Sequence, residues 1–229
     1  MYLDAFIDKA STSILEYKEP MKYLASRGFG SDDIKRWGIG YTRVARVSGA
    51  ECEDLNKLKE ATHGFRNLEG RIIIPLRNIL GRVNGIQTRS IDTKVYKDYL
   101  MSEAKNMGTL FGLREALPHI RSTRKVFVHE GAFNAMAFSK VFPNTVASLT
   151  SFLSDQQVEL LRFLSDLIVV VFDNDKAGDI GRAKVLKTYG SSGFESITIG
   201  ESDSNACLTM MGPDKFTKYI KSRVPTMLQ

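Results

Sequence analysis

Two aspartates two residues apart follow an apolar run in the second half of the chain. Residues 167–172 (LIVVVF) are short, β-branched and unbroken, and Asp173, Asn174 and Asp175 come directly after them. Such a run is typical of a strand buried on both faces. Asn174 and Gly178 favour a turn directly after the strand, and such a turn would let both carboxylates meet one ion. Paired carboxylates at a strand's carboxyl end predict a Mg²⁺ site.

Another carboxylate lies in the same kind of context earlier in the chain. Residues 125–129 (KVFVH) predict a strand, Gly131 lets the backbone turn tightly after Glu130, and residues 132–141 predict a helix of small residues. A single Glu before a helix often only complements the helix dipole, and an aspartate pair can belong to an ordinary Asx-rich turn. Two acidic strand ends in one chain are more specific than either alone.

Glu130 followed by the Asp173-x-Asp175 motif resembles the TOPRIM fold, which bacterial-type primases, type IA and type II topoisomerases and some nucleases share. The flanking segments resemble blocks of the DnaG-like primase catalytic core, in the family order and at near-family spacing. These blocks are residues 20–42, 71–92, 99–117 and 146–161. The resemblance covers most of residues 20–212 and is closest to phage or plasmid primases.

The predicted fold is α/β, with a TOPRIM-type mostly parallel sheet flanked by helices and preceded by a smaller mixed α+β subdomain. From residue 124 onward, strand and helix patterns alternate. The predicted strands are 125–129, 144–149, 167–172 and 196–199, and the predicted helices are 131–141, 154–164 and 178–189. Before them we predict helices within 4–47, a hairpin over 70–90 that turns at 78–82, and loop with a short helix over 92–110. The predicted domains are 1–120, a basic primase-core subdomain, and 121–229, a TOPRIM metal-binding domain with a short helical end.

Basic residues concentrate before the predicted TOPRIM domain, in a chain of formal charge +6. Cations can hold phosphates while tyrosines stack on bases, although a solvated face with core tyrosines has the same composition. The residues that we expect to bind nucleic acid or nucleotide are Arg71, Arg77, Arg89, Lys94, Lys97, Tyr99, Lys105 and Lys176. The resemblance directs Arg89, Lys97 and Lys105 to the template or the incoming nucleotide, with Lys94 competing for the position of Lys97. Lys176 would neutralise the acidic cluster or touch a phosphate.

The resemblance implies DNA-templated synthesis of RNA primers from ribonucleoside triphosphates at a replication fork. It makes Glu130, Asp173 and Asp175 catalytic and metal-binding, adds Asp203 as a metal ligand, and implies Mg²⁺ or Mn²⁺ as the cofactor. The sequence departs from the family pattern in three motifs. Asn134 replaces an Asp, Asn205 and Ala206 stand where the third acidic motif usually has a second Asp, and the Lys-Tyr-Leu-Asn signature reads Asp98-Tyr99-Leu100-Met101. The amide oxygen of an Asn can still reach a metal, but without charge, so we expect weakened rather than abolished metal affinity.

Zinc is not expected in this chain. Its two cysteines, Cys52 and Cys207, and its three histidines lack the spacing of a four-ligand site. Because primases of this type usually carry a zinc module, we expect a separate zinc-binding or template-recognition protein as a partner, together with a replicative helicase and single-stranded DNA. No apolar run approaches the roughly 20 residues that span a bilayer. We therefore expect no membrane partner and a cytoplasmic location, in the bacterial host if the chain is phage-encoded.

Two other functions stay open. The substituted acids and the lack of a zinc module are compatible with a non-catalytic replication accessory that grips single-stranded DNA or contacts a helicase. A TOPRIM nuclease would use the same metal site with water as the nucleophile. The segment 20–42 and the basic region that follows it favour the primase.

Overall fold

The computed structural model divides the chain into two compact units, Met1–Met107 and Gly108–Gln229. It describes residues 2–42, 68, 70–92, 96–100, 108–190, 192–200 and 203–224, with the backbone alone at 2, 3, 42 and 96–100. This division falls earlier than the one at 120 that the sequence suggests, because the helix Leu113–Thr123 lies wholly in the second unit. No helix in the described ranges is both long and apolar enough to cross a membrane.

The first unit combines helices with an antiparallel sheet. Its strands follow one another in the order β1-β2-β3-β4, and each pairs with the next. The strands are β1 (Gly40–Thr42), β2 (Arg71–Arg77), β3 (Val83–Ser90) and β4 (Tyr96–Leu100). The helices are α1 (Tyr2–Ser13), a 3₁₀ turn (Ile14–Glu16), α2 (Lys18–Ser26) and α3 (Ser31–Trp37).

The hairpin predicted over 70–90 is confirmed, with its turn at 78–82. Asn78 closes this turn, since its side-chain oxygen accepts hydrogen bonds of 3.0 Å from the backbone amides of Leu80 and Arg82. The loop and short helix predicted over 92–110 are wrong for Tyr96–Leu100, which form strand β4. Its sequence, YKDYL, lacks the apolar alternation that marks a half-buried strand, so pairing with β3 decides its structure.

The second unit contains the predicted parallel sheet, with strand order β6-β5-β7-β8 and every neighbouring pair parallel. The strands are β5 (Lys125–His129), β6 (Thr145–Ala147), β7 (Leu167–Val171) and β8 (Phe194–Ser196). The helices are α4 (Leu113–Thr123), α5 (Ala132–Phe138), α6 (Asp155–Leu164), α7 (Lys176–Tyr189), α8 (Ser204–Met211) and α9 (Pro213–Arg223).

Both faces of this sheet are buried, as its continuous apolar strands predict. Along β5, Val126 and Val128 belong to a core that also contains Leu161 of α6. Phe127, which points to the opposite face, packs against Phe138 of α5 with 4.9 Å between the ring centres. Helices therefore flank the sheet, and the strand ends are the places where side chains can reach solvent or a ligand.

The bounds predicted for the strand at 196–199 are wrong, because the strand begins two residues earlier and ends three residues earlier. In the structure β8 covers Phe194–Ser196, beginning directly after Gly193, whose φ of +74° is a conformation that few other residues adopt readily. The glycine oxygen accepts a 2.8 Å hydrogen bond from the amide of Ile168, so pairing with β7 starts at this turn. The apolar residues 197–199 lie beyond the strand.

Candidate metal centre

Adjacent parallel strands bring the predicted acidic residues to one edge of the sheet. In the pairing of β5 with β7, His129 lies opposite Val171, so both strands end at the same level. Glu130 follows β5 directly, and Asp173 lies two residues beyond β7. The carboxyl edge of a parallel sheet is the usual ligand-binding edge of open α/β folds.

The turn after β7 is shaped by contacts within the chain itself. Asp175 is the N-cap of α7, and its Oδ1 accepts a 2.8 Å hydrogen bond from the amide of Gly178. A Cβ at Gly178 would lie 2.0 Å from the backbone oxygen of Asp173, so this position needs glycine. The Asx-rich turn and the metal site are therefore not exclusive, because the cap occupies Oδ1 and Oδ2 can face a cation.

The prediction that Gly131 is needed for a tight exit after Glu130 is wrong. Gly131 has an extended backbone with φ of −105°, and a Cβ there would meet nothing within 4 Å. The chain leaves β5 without a conformation that requires glycine.

Asp203 is also a helix cap, in the segment that follows β8. It precedes α8, and its Oδ1 accepts a 2.8 Å hydrogen bond from the amide of Ala206. The side-chain amide of Asn174 donates to the backbone oxygen of Gly200, which ties the turn after β7 to the segment leading to Asp203. Asn205, in the position where an acid was expected, is buried.

The four carboxylates at this edge influence one another electrostatically. Burial raises the pKa of Glu130, and the negative charges of Asp173 and Asp175 raise it further. Burial likewise raises the pKa of Asp173, with added effects from Asp203 and Asp175. Glu130 and Asp173 therefore hold their negative charges less readily than in water. A divalent cation bound beside them would offset the cost of burial and the repulsion between the carboxylates.

The carboxylates are neighbours without forming a ready-made cage. Within the ranges that the structure describes, no three Asp, Glu, His or Cys side chains come together as a group that could hold a metal ion. Charge interactions extend over several ångströms, whereas ligand oxygens must approach Mg²⁺ to about 2.0–2.1 Å, so coupled acids need not be converged ligands. Mg²⁺ usually keeps several waters and takes only one or two protein carboxylates, and this donor set suits such a divalent cation.

Asn134 contacts the central aspartate directly. It lies on α5, one helical turn beyond Glu130, and its Nδ2 donates a 2.7 Å hydrogen bond to Oδ1 of Asp173. This bond favours the charged carboxylate and lowers the pKa of Asp173, against the larger effect of burial. The sequence marks Asn134 only as a departure from an acidic pattern, and its role as a donor becomes visible when β5 and β7 are placed side by side.

Arg182 contacts the backbone of the same turn from α7. Its Nη1 donates to the backbone oxygens of Phe172 (2.7 Å) and Asp173 (3.0 Å), and its Nη2 pairs with Asp179. Sequence reasoning missed this residue, because a lysine- and arginine-containing helix is usually a solvated face. A basic residue three positions after an acid on the same helix is the only sequence signal of the contact.

His129 is the last residue of strand β5, as the sequence indicates. It is fully buried, and burial lowers its pKa to about 3, so the ring is neutral. Its Nδ1 lies 3.4 Å from Oγ of Ser204, and the ring packs 4.6 Å from the ring centre of Phe138.

Three of the predicted basic residues, Arg71, Arg77 and Arg89, lie on strands β2 and β3 of the first unit. Arg71 donates through Nε to the Thr88 hydroxyl at 2.8 Å, and Arg77 forms an ion pair with Asp4 at 3.6 Å. Arg89 is buried. These three guanidinium groups therefore already have contacts within their own unit.

The other predicted nucleic-acid-binding residues are only partly covered. Lys176, the first residue of α7, is exposed beside the acidic turn. Lys97 and Tyr99 belong to β4, whose backbone alone is described, and Lys94 and Lys105 lie outside the described residues.

Comparison with known proteins agrees with this fold. A family model for Toprim-like proteins matches residues 127–208. The DNA primase of Thermotoga maritima is 32% identical over 186 residues, which cover 74% of this chain and 33% of that primase. The chain spans between 33% and 42% of the length of the first curated relatives.

Two solved structures share the fold over nearly the whole chain. The crystal structure of the zinc-binding and RNA polymerase domains of the Aquifex aeolicus primase is 26% identical, with a TM-score of 0.79, over 96% of this chain and 60% of that chain. The DnaG primase catalytic domain bound to single-stranded DNA is 20% identical, with a TM-score of 0.79, over 98% of this chain and 79% of that chain. By sequence and fold together, this chain belongs to the DnaG-like primase family and corresponds to its catalytic core with a TOPRIM domain.

Proposed function

We propose that this chain catalyses DNA-templated synthesis of RNA primers, using Mg²⁺ or Mn²⁺ held at the carboxyl edge of the parallel sheet. The observation that carries the proposal is that Glu130, Asp173 and Asp175 follow the adjacent parallel strands β5 and β7 at one edge of the sheet. Family membership supports the same activity, since the matched relatives are DNA primases.

In the proposed reaction, a 3′-hydroxyl attacks the α-phosphate of an incoming ribonucleoside triphosphate and pyrophosphate leaves. Glu130, Asp173 and Asp175 would hold the divalent cation, with Asp203 as a further ligand. A cation held by these residues would supply charge that lowers the pKa of the hydroxyl and offsets the charge that develops on the phosphates. Asn134, which donates to Oδ1 of Asp173, would hold the orientation of that carboxylate.

The positive charges have separate parts in the proposal. Lys176, exposed at the start of α7, would contact a triphosphate oxygen or offset the acidic cluster. Template and nucleotide contacts would come from the basic and aromatic residues predicted by sequence, namely Arg71, Arg77, Arg89, Lys94, Lys97, Tyr99 and Lys105. Cations on phosphates give affinity without sequence preference, so a single-stranded template of any sequence would bind.

The chain would work with partners in a bacterial cytoplasm, in the host if it is phage-encoded. A zinc-binding or template-recognition protein would be a partner in start-site selection, and the matched Aquifex structure contains a zinc-binding domain as well as an RNA polymerase domain. A replicative helicase would supply single-stranded template.

The test is primer synthesis by the purified chain with single-stranded DNA, Mg²⁺ or Mn²⁺ and labelled ribonucleotides, resolved on a sequencing gel. We expect short, template-dependent oligoribonucleotides, and their loss in the double variant Asp173→Asn with Asp175→Asn. Asp166→Asn is the matched control, because Asp166 is an exposed aspartate of the same unit that pairs with Arg124.

Each alternative has its own outcome in this assay. Primers made by the double variant would overturn the metal assignment. DNA that stays intact and bound, without product from the wild type, would favour a replication accessory. Degradation of the DNA in the absence of ribonucleotides would identify a nuclease.

A further inference from the structure

The buried Arg182 donates hydrogen bonds to the backbone of the turn that carries Asp173 and Asp175. The side chain of Arg182 is 7% exposed, and its Nη1 lies within hydrogen-bonding distance of the backbone oxygens of Phe172 and Asp173. These two carbonyl groups are the last peptide groups before the chain turns from β7 towards α7. One guanidinium group therefore fixes the direction of both peptides.

These hydrogen bonds matter because the shape of the turn decides whether Asp173 and Asp175 can bind the same cation. In a continued strand, Asp173 and Asp175 would project to the same face about 6–7 Å apart along the chain, with Asn174 on the opposite face. The structure instead turns at Asn174, and α7 begins at Lys176 with Asp175 as its cap. Holding the carbonyls of Phe172 and Asp173 against α7 fixes where that turn begins.

The arginine also places a permanent positive charge beside the acids. Its own charge is paired with Asp179, whose side chain is 70% exposed, so the buried guanidinium is not left uncompensated. The same guanidinium lowers the pKa of Asp173.

We propose that Arg182 is a positioning residue for the metal centre, which holds the Asp173–Asp175 turn in the geometry that binds the divalent cation. This inference rests on the proposed function, because it deepens the account of the same edge. Arg182 touches neither substrate nor metal in this account and acts through the backbone of the turn. Residues in such supporting positions typically change metal affinity by about 10- to 100-fold when they are replaced.

The test compares Arg182→Met with Arg182→Lys and with a control in the same unit. Methionine keeps much of the apolar stem. Lysine keeps the charge but has a single nitrogen, which cannot contact the two carbonyls and Asp179 as the two guanidinium nitrogens do. Arg162→Met is the control, since Arg162 also donates to a backbone oxygen, that of Tyr189, at the opposite end of α7.

Mn²⁺ binding by calorimetry is the first readout, measured at a temperature where all variants are folded. We expect Arg182→Met to raise the Mn²⁺ dissociation constant about 10- to 100-fold. Arg182→Lys should raise it less, and Arg162→Met should leave it unchanged. In primer synthesis, the metal concentration for half-maximal rate should rise in Arg182→Met, with partial recovery at saturating Mn²⁺. Equal Mn²⁺ affinity in wild type and Arg182→Met would overturn the inference.

Hydrogen exchange of the Gly178 amide separates this inference from the proposed function. That amide bonds to Asp175 inside the turn, so it should exchange faster in Arg182→Met than in Arg162→Met, with or without metal. If the wild type binds no Mn²⁺, the metal centre itself is wrong, whereas unchanged exchange at Gly178 in Arg182→Met would refute the positioning role alone.

Discussion

Asp173 is held from two sides, and each neighbour supplies a different kind of contact. Asn134 donates to its carboxylate, and Arg182 donates to its backbone oxygen. An aspartate in place of Asn134 would put a second negative charge where Asp173 now receives a hydrogen bond, and like charges at that distance raise the pKa of the pair. The amide therefore reduces the negative charge of the edge, keeps Asp173 oriented and lowers its pKa against the effect of burial.

His129 should make stability depend on pH. Its pKa is about 3 in the folded state and about 6.5 in an unfolded chain, so between these values the unfolded state binds more protons. Unfolding free energy must then fall as pH falls, and at pH 5 the loss amounts to about 2 kcal/mol relative to pH 7.5.

Chemical denaturation of wild type and His129→Leu at several pH values measures this effect. Glu130 and Asp173, whose raised pKa values act in the opposite direction, contribute to both proteins and cancel in the difference. We expect the stability of the wild type relative to the variant to fall by about 2 kcal/mol between pH 7.5 and pH 5. Parallel stability curves would show that the ring is not buried as a neutral base.

At the scale of elements, the strand–turn–helix units that carry the acids were predictable. The runs before Glu130 and Asp173 are continuous and apolar, and the structure makes them adjacent parallel strands. Their identity as strands follows from composition, because a buried parallel strand needs apolar side chains on both faces. The edge that collects the acids follows from the parallel direction alone.

Other elements depend on contacts that no local pattern records. Strand β4 has the sequence YKDYL and exists because β3 pairs with it. The start of β8 depends on a turn at Gly193 rather than on the apolar residues at 197–199. Arg182 looks like one of many basic helix residues until its distance to the turn after β7 is known. Tertiary pairing therefore decided these features.

Replacing Gly178 tests the shape of the turn. In Gly178→Ala, the new Cβ would lie 2.0 Å from the backbone oxygen of Asp173, so the turn must shift. We expect a loss of about 1–3 kcal/mol in unfolding free energy, measured by denaturation, together with weaker metal binding.

Gly131→Ser is the matched control, because a Cβ there meets nothing within 4 Å and serine is a favourable helix cap. Its stability should stay within about 0.5 kcal/mol of the wild type. A Gly178→Ala protein as stable as this control would mean that the turn is wider than the structure indicates.

For the whole molecule, the chain carries a catalytic-core fold but spans only 33–42% of the first curated primases that it matches. The acids belong to the second unit, and Arg71, Arg77 and Arg89 belong to the first. In the account proposed here, the second unit supplies the chemistry and the first supplies cations for template and nucleotide. Start-site selection and delivery of single strands are assigned to partner proteins.

Anomalous diffraction from crystals of the whole chain soaked in Mn²⁺ tests directly whether a divalent cation binds at Glu130, Asp173 and Asp175. A metal bound in the proposed centre gives a peak beside the carboxylates of Asp173 and Asp175, within reach of Glu130, and no peak there in the variant with Asn at both aspartates. Peaks confined to other parts of the chain, or a peak at this edge that persists in the double variant, would contradict the account.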